Sequence, residues 1–155
     1  MLSIVQGERI GRSAAVFVGC SATLFDADRR KILLTRRADN GRWCLPGGHF
    51  EPGENVTEAC IREMHEETGL EVRVVRLSGV YSSPDFVLDY GERGRFQVVA
   101  LNFEVETVGG ELGLSDETTE VGYFTEQEIA DLDLLEHHRP RIVDAFGHAG
   151  AAHIR

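Results

Sequence analysis

The chain has too few cysteines, and in the wrong arrangement, for a disulfide scaffold or a zinc or redox motif. Cys20, Cys44 and Cys60 are odd in number, irregularly spaced, and contain no C-x-x-C pair. They read as buried, reduced thiols. The chain also has no long apolar run. The longest uncharged stretch, Ser13 to Phe25, is 13 residues with Gly19 inside it, too short to cross a hydrocarbon core of roughly 30 Å as a helix. No basic segment followed by an apolar stretch opens the sequence, so it does not read as a secretory leader, and a cytoplasmic protein is expected. Nor is there an excess of positive charge. Sixteen basic against 26 acidic residues leave a net charge of -10, which repels the backbone of a long nucleic acid. Any phosphorylated ligand must be small and accompanied by cations. Repeats and low-complexity tracts are missing too.

What is present is the composition of a soluble globular protein, 42% hydrophobic and 27% charged over 155 residues. That length suits one domain spanning 1–155, with about 1–12 and 147–155 peripheral or frayed. Ala14 to Phe25 reads as a strand, and Lys31 to Thr35 as its hairpin partner after the turn at Asp26. Arg36 to Pro52 reads as loop with a short strand near Trp43. A helix over Asn55 to Thr68 ends at Gly69. Glu71 to Tyr81 and Phe96 to Val105 read as two strands flanking a loop that holds Pro84. Thr125 and Glu128 have the spacing of a capping box, and Pro140 suits the start of a final helix. This order predicts an α/β fold, an α/β/α sandwich around a mixed sheet.

The predicted helix carries the chemistry. At about 100° per residue, Glu63, Glu66 and Glu67 fall on the face that bears Val56, Ala59 and Cys60 a turn or two earlier. A stripe bound for the core therefore turns acidic. Carboxylates that close raise one another's pKa and resist desolvation unless a cation is present, and a hard divalent ion such as Mg²⁺ or Mn²⁺ suits them. Arg62, four residues after Glu58 and four before Glu66, can pair either way along the helix. A solvated acidic helix would show the same pattern. The loop ahead of it weighs against that, because Leu45-Pro46-Gly47-Gly48 and Pro52-Gly53 free backbone groups for a ligand.

Together, loop and helix resemble the Nudix box. In GHFEPGENVTEACIREMHEETGL, residues 48–70, Gly48 is followed after five residues by Glu54, and after seven more by Arg62-Glu63-Met64-His65-Glu66-Glu67-Thr68-Gly69-Leu70. Every fixed position of the pattern is filled. The resemblance implies a Nudix-type α/β/α sandwich and metal-dependent hydrolysis of a phosphoanhydride in a small nucleotide-type substrate. Glu63 and Glu67 would be the principal metal ligands, Glu66 a further ligand or a partner of Arg62, and the Gly47 carbonyl a backbone ligand. Gly48 and Glu54 would support the site, and a homodimer is expected.

The general base varies within that family, and Glu117 in SDETTEV is the leading candidate outside the box, with Glu120 second. Substrate choice lies elsewhere in the chain. Pro84, after Tyr81-Ser82-Ser83, resembles the ADP-ribose pyrophosphatase branch, although Asp85 replaces the glycine expected next. Arg36, Arg37, Arg42, Arg93 and Arg95 can bind phosphates or balance surface charge, and Trp43, Phe86 and Tyr90 can stack on a base or pack. Arg37, Trp43, Pro84 and Arg95 are the substrate contacts taken forward. His49, His65, His137 and His138 read as structural or exposed. Two other activities fit the same box: pyrophosphohydrolysis of nucleoside triphosphates, and nucleotide sensing without cleavage.

Overall fold

A computed structural model describes residues 2–155. Its elements in chain order are β1 (Ser3–Gln6), β2 (Ala15–Leu24), β3 (Lys31–Arg37), β4 (Trp43–Cys44), β5 (Gly47–His49), α1 (Val56–Thr68), β6 (Leu70–Tyr81), β7 (Phe86–Asp89), β8 (Arg95–Gly110), β9 (Thr118–Thr125), α2 (Glu126–Ala130), α3 (Arg139–Phe146) and β10 (His153–Ile154). They form two sheets. One runs β1-β7-β8-β2-β5, with β6 paired to β8 and β10 to β6, and the other runs β4-β3-β9. The larger sheet is mixed. β2 runs parallel to β8, from Ala15 beside Phe96 to Leu24 beside Val105, whereas β6 and β8 are antiparallel.

The hairpin expected between β2 and β3 is reduced to a single antiparallel bridge, Phe25 to Ile32. The turn after β2 is present, with the Asp26 carboxylate accepting the Arg30 and Lys31 N–H groups at 2.9 and 3.0 Å, but it carries the chain into the second sheet. The cause lies in the run Ile32-Leu33-Leu34, which is apolar at every position and therefore needs cover on both faces. Leu33 packs with Ala22, Leu24, Ala59 and Met64, while Ile32 and Leu34 pack with Trp43, Leu45, Ile129 and Ile142. Thus α1 covers one side of the central strands, and α2 and α3 cover the far side of the small sheet.

α1 is capped at both ends, at Gly69 as its sequence predicts and at Asn55 by a box not among the expectations. Asn55 accepts the Glu58 N–H at 2.9 Å and Glu58 accepts the Asn55 N–H at 2.8 Å, a reciprocal pair that satisfies two of the helix's free donors. Gly69 ends it at φ 75, returning its N–H to the His65 carbonyl at 2.9 Å. The Thr125–Glu128 capping box and the proline at the start of α3 are likewise in place.

Two peripheral segments depart from expectation. The stretch between β6 and β8 contains a strand of its own, β7, which pairs with β8 and receives β1. The tail, expected to fray, instead places β10 parallel to β6, with the Arg155 N–H on the Val80 carbonyl at 2.9 Å. Arg155 also grips both oxygens of Asp144 at 2.8 Å. A bidentate guanidinium–carboxylate pair explains why this end is held.

Candidate active site

The inner face of α1 buries Ala59, Cys60, Glu63, Met64, Glu67 and Thr68. Glu63 and Glu67 are 8% and 6% exposed, but the Glu66 side chain is 56% exposed. The acidic stripe is therefore two residues wide at its buried centre, and Glu66 stands at the rim of the same cleft, sharing Arg62 Nη1 with Glu63.

Glu67 is buried with little to offset its charge. One oxygen accepts the Gly47 N–H at 3.0 Å. Burial, reinforced by the nearby charges of Glu63 and Glu117 and only partly opposed by that hydrogen bond, pushes its pKa up to about 8. Glu63 is also raised, chiefly by burial, although Arg62 lies 2.9 Å away and pulls the other way.

Arg62 does more than pair along the helix. Its Nε and Nη2 donate to the two oxygens of Glu54 at 3.0 and 2.8 Å, Nη2 also donates to the His49 carbonyl at 2.9 Å, and Nη1 reaches Glu63 at 2.9 Å and Glu66 at 3.2 Å. Its strongest grip is on Glu54, so it ties the glycine loop to the helix; the role expected for it, orienting Glu66, is the weaker contact. Gly48 lies directly over Glu63, where an added Cβ would sit 2.3 Å from the carboxylate. Only glycine lets the backbone approach so closely.

The far wall is the loop leading into β9. The Glu117 N–H donates to Ser115 Oγ at 3.2 Å, its carbonyl accepts the Ala38 N–H at 2.9 Å, and Thr118 Oγ1 donates to the Glu67 carbonyl at 3.2 Å. These bonds fix Glu117 across the cleft from Glu63 and Glu67. Glu120, the second candidate base, is paired with Arg36 on β9 and does not line the cleft.

The cleft holds about 700 Å³. Among the expected substrate contacts it brings in Arg37, which Asp39 holds by two bonds of 2.8 and 2.9 Å. Trp43, Pro84 and Arg95 do not line it. Trp43 is buried edge-on against Phe124 at 4.8 Å, and the Pro84 carbonyl accepts the Gly11 N–H at 3.0 Å. Arg95 pairs with Asp89 at 2.8 Å. In their place stand Tyr90, Arg93 and His49. Burial and the charge of Arg37 hold His49 below its ordinary pKa. Tyr90 and Arg93, named among the stacking and phosphate-binding candidates but not taken forward, enter through the turn after β7, a strand not expected from the sequence. His65 is exposed on α1, and His137 and His138 face a smaller cavity behind the cleft.

A hard divalent cation fits this donor set, since two buried carboxylates lie together and Arg62, paired with Glu63, and the more distant Arg37 offset their charge only in part. Among the described residues no three acidic, histidine or cysteine side chains alone make a metal cluster. Gly47, expected to offer its carbonyl to the metal, donates its N–H to Glu67 at 3.0 Å.

A mixed-sheet sandwich whose glycine loop lies over a buried pair of helix glutamates is the architecture of one class, and the comparisons agree. The NUDIX domain model matches residues 17–146, and the chain belongs to the Nudix family. It is 44% identical over 97 residues to the ADP-ribose pyrophosphatase of Methanocaldococcus jannaschii, a match covering 61% of this chain and 54% of that protein. It is 38% identical over 125 residues to a MutT-like protein of Streptomyces ambofaciens, covering 81% and 73%. Among solved structures, a NUDIX hydrolase from Nitrosomonas europaea superposes with a TM-score of 0.72 at 25% identity, covering 89% of this chain and 92% of that one. Among the described residues no helix is long and apolar enough to cross a membrane.

Proposed function

We propose that this chain hydrolyses a phosphoanhydride bond in a nucleoside diphosphate linked to a further group, ADP-ribose or a nucleotide sugar, with Mg²⁺ or Mn²⁺. One observation carries the reading: Glu63, Glu66, Glu67 and Glu117 face a single cleft, and burial among those carboxylates raises Glu67 despite the Gly47 N–H and the charge of Arg37. The name of the Methanocaldococcus jannaschii relative supports the choice of substrate.

Glu63 and Glu67 would hold the cation, which when bound neutralises phosphate oxygens that otherwise repel a nucleophile. Glu117 accepts a proton from the attacking water as its oxygen bonds to phosphorus and the bridging P–O bond breaks. Arg37, held rigid by Asp39, binds the phosphate on the leaving side. Tyr90 offers a face for a base or sugar. Arg62 and Glu54 keep the loop at its distance from α1. A cytoplasmic homodimer belongs to the same reading, and light scattering at twice the chain mass would support the dimer.

The test is release of AMP or phosphate from ADP-ribose, nucleotide sugars, dinucleoside polyphosphates and nucleoside triphosphates, with and without Mg²⁺. Turnover of diphosphate-linked substrates only when metal is present is expected. Preference for triphosphates would overturn the substrate class, and no turnover on any of them would overturn the enzyme reading in favour of a sensing module.

A further inference from the structure

Behind the cleft, and sharing Arg37, Gly47, Gly48, His49 and Tyr90 with it, lies a cavity of about 70 Å³. Its wall carries Arg141, the third residue of α3, which is only 4% exposed. Among the described residues no carboxylate pairs with this guanidinium. Nη1 donates to Ser21 Oγ at a long 3.3 Å, and that hydroxyl donates in turn to Asn102 Oδ1 at 2.8 Å. Nε is buried and meets no acceptor. Burial lowers the pKa of Arg141 only to about 10, so it is charged at neutral pH.

The remaining neighbour makes the imbalance worse. His138 Nε2 lies 3.5 Å from Arg141 Nη1, but His138 Nδ1 accepts the Leu45 N–H at 3.1 Å. A neutral imidazole accepting at Nδ1 carries its proton on Nε2. Burial and the charge of Arg141 hold His138 far below its ordinary pKa, which keeps the ring neutral. Its Nε2–H therefore points donor against donor at the guanidinium. His137 Nδ1, on the same wall, is also buried without a partner. The ring of Tyr81, 5.9 Å from the guanidinium carbon, offers partial relief only.

A buried cation and a neighbouring N–H group on the wall of a cavity otherwise lined largely by apolar side chains lack one thing, an acceptor with negative charge. Several water molecules would fit in that volume, and so would a small anion, but water brings no charge. We infer that this cavity is a binding subsite for a small electronegative group, from a halide to a nitrate or carboxylate in size, held by Arg141 and His138. The group comes either as a free ion or as an acceptor edge of a nucleotide reaching in from the cleft. The inference stands on Arg141 and His138 alone and does not depend on the proposed hydrolysis.

The test is thermal melting of the chain at constant ionic strength without divalent metal, replacing gluconate, too bulky for the cavity, with chloride or nitrate. A saturable rise in Tm of several degrees is expected. Arg141→Met should abolish it, and Glu67→Gln, in the catalytic cleft, should keep it. In a second arm ADP and GDP are the probes: stabilisation by nucleotide that Arg141→Met weakens, with no response to halide, assigns the subsite to the substrate. If neither response depends on Arg141, the inference is overturned. Should Arg141→Met fail to fold, crystals of the unaltered chain soaked in bromide or in ADP decide the matter. Anomalous bromide or a nucleotide acceptor within the cavity against the Arg141 guanidinium upholds the subsite, and water alone there overturns it. Neither arm measures turnover, so an inactive enzyme and an empty cavity are distinguishable results.

Discussion

Glu67 and Asp144 are buried to the same degree, 6% and 7% exposed, yet their surroundings drive their acidities in opposite directions. Asp144 takes two bonds from Arg155 and one from the Tyr81 hydroxyl, each 2.8 Å, and those partners hold it below the usual carboxylate range. Glu67 receives one backbone N–H, and burial pushes it up to about 8. Burial alone does not distinguish a structural carboxylate from a working one; the supply of counter-charge does. Where the chain provides its own cation the group closes a joint between α3, β6 and the tail, and where it withholds one the group is left for something from outside.

The contrast can be broken most sharply by Glu67→Gln. It should lower the hydrolysis rate by on the order of a hundred-fold or more, while leaving the melting temperature of metal-free protein unchanged or raised, since a buried unpaired charge is removed. An unchanged rate in steady-state assays would refute the role given to Glu67. Asp144→Ala should do the reverse: a loss of about 1–3 kcal/mol in denaturant unfolding, discounted because Arg155 is half exposed, with the rate per folded molecule intact.

The pH dependences should also oppose one another. The folded-state pKa of Glu67 is raised, so its contribution is fully present below the ordinary 4.5 and is lost as pH rises towards about 8. Asp144 is lowered, so its contribution is present above the ordinary carboxylate value and lost as pH falls through the folded value. Melting scans of metal-free protein should show stability declining over the first window, with Mg²⁺ flattening that decline in the unaltered chain but not in Glu67→Gln. The smallest effect belongs to the exposed Arg36–Glu120 pair. Glu120→Gln should cost about 0.5 kcal/mol or less and leave the rate unchanged. A large rate loss there would move the general base from Glu117 to Glu120.

The sequence carried the local rules well. The Gly69 cap of α1, the Thr125–Glu128 box and the placement of Glu63 and Glu67 on one helix face depend on residues close in the chain, so spacing encodes them. It carried pairing poorly. The turn at Asp26 was legible, but which sheet β3 would join depended on partners contributed by β8, β9 and α3. The substrate wall failed for the same reason. Trp43, Tyr90, Pro84, Arg93 and Arg95 all stood out as types, but only the docking of β7 on β8 decides that Tyr90 and Arg93 reach the cleft and the others do not. Glu66 lies only one residue from Glu67, yet that 100° rotation carries it from the buried stripe to the rim of the cleft.

The parallel register of β2 with β8 has a consequence in time as well as space. Ser21 bonds Asn102 across 81 residues of chain, and the glycine loop and α1 both lie within that span. Closing so long a loop must precede the contacts that repay it. A nascent chain released before β8 has emerged can wind α1, but β2 and β6, the strands α1 packs against, still lack the strand that joins them. Folding of this domain should therefore be slow for its size, with its carboxylates reaching their final positions among the last groups to do so.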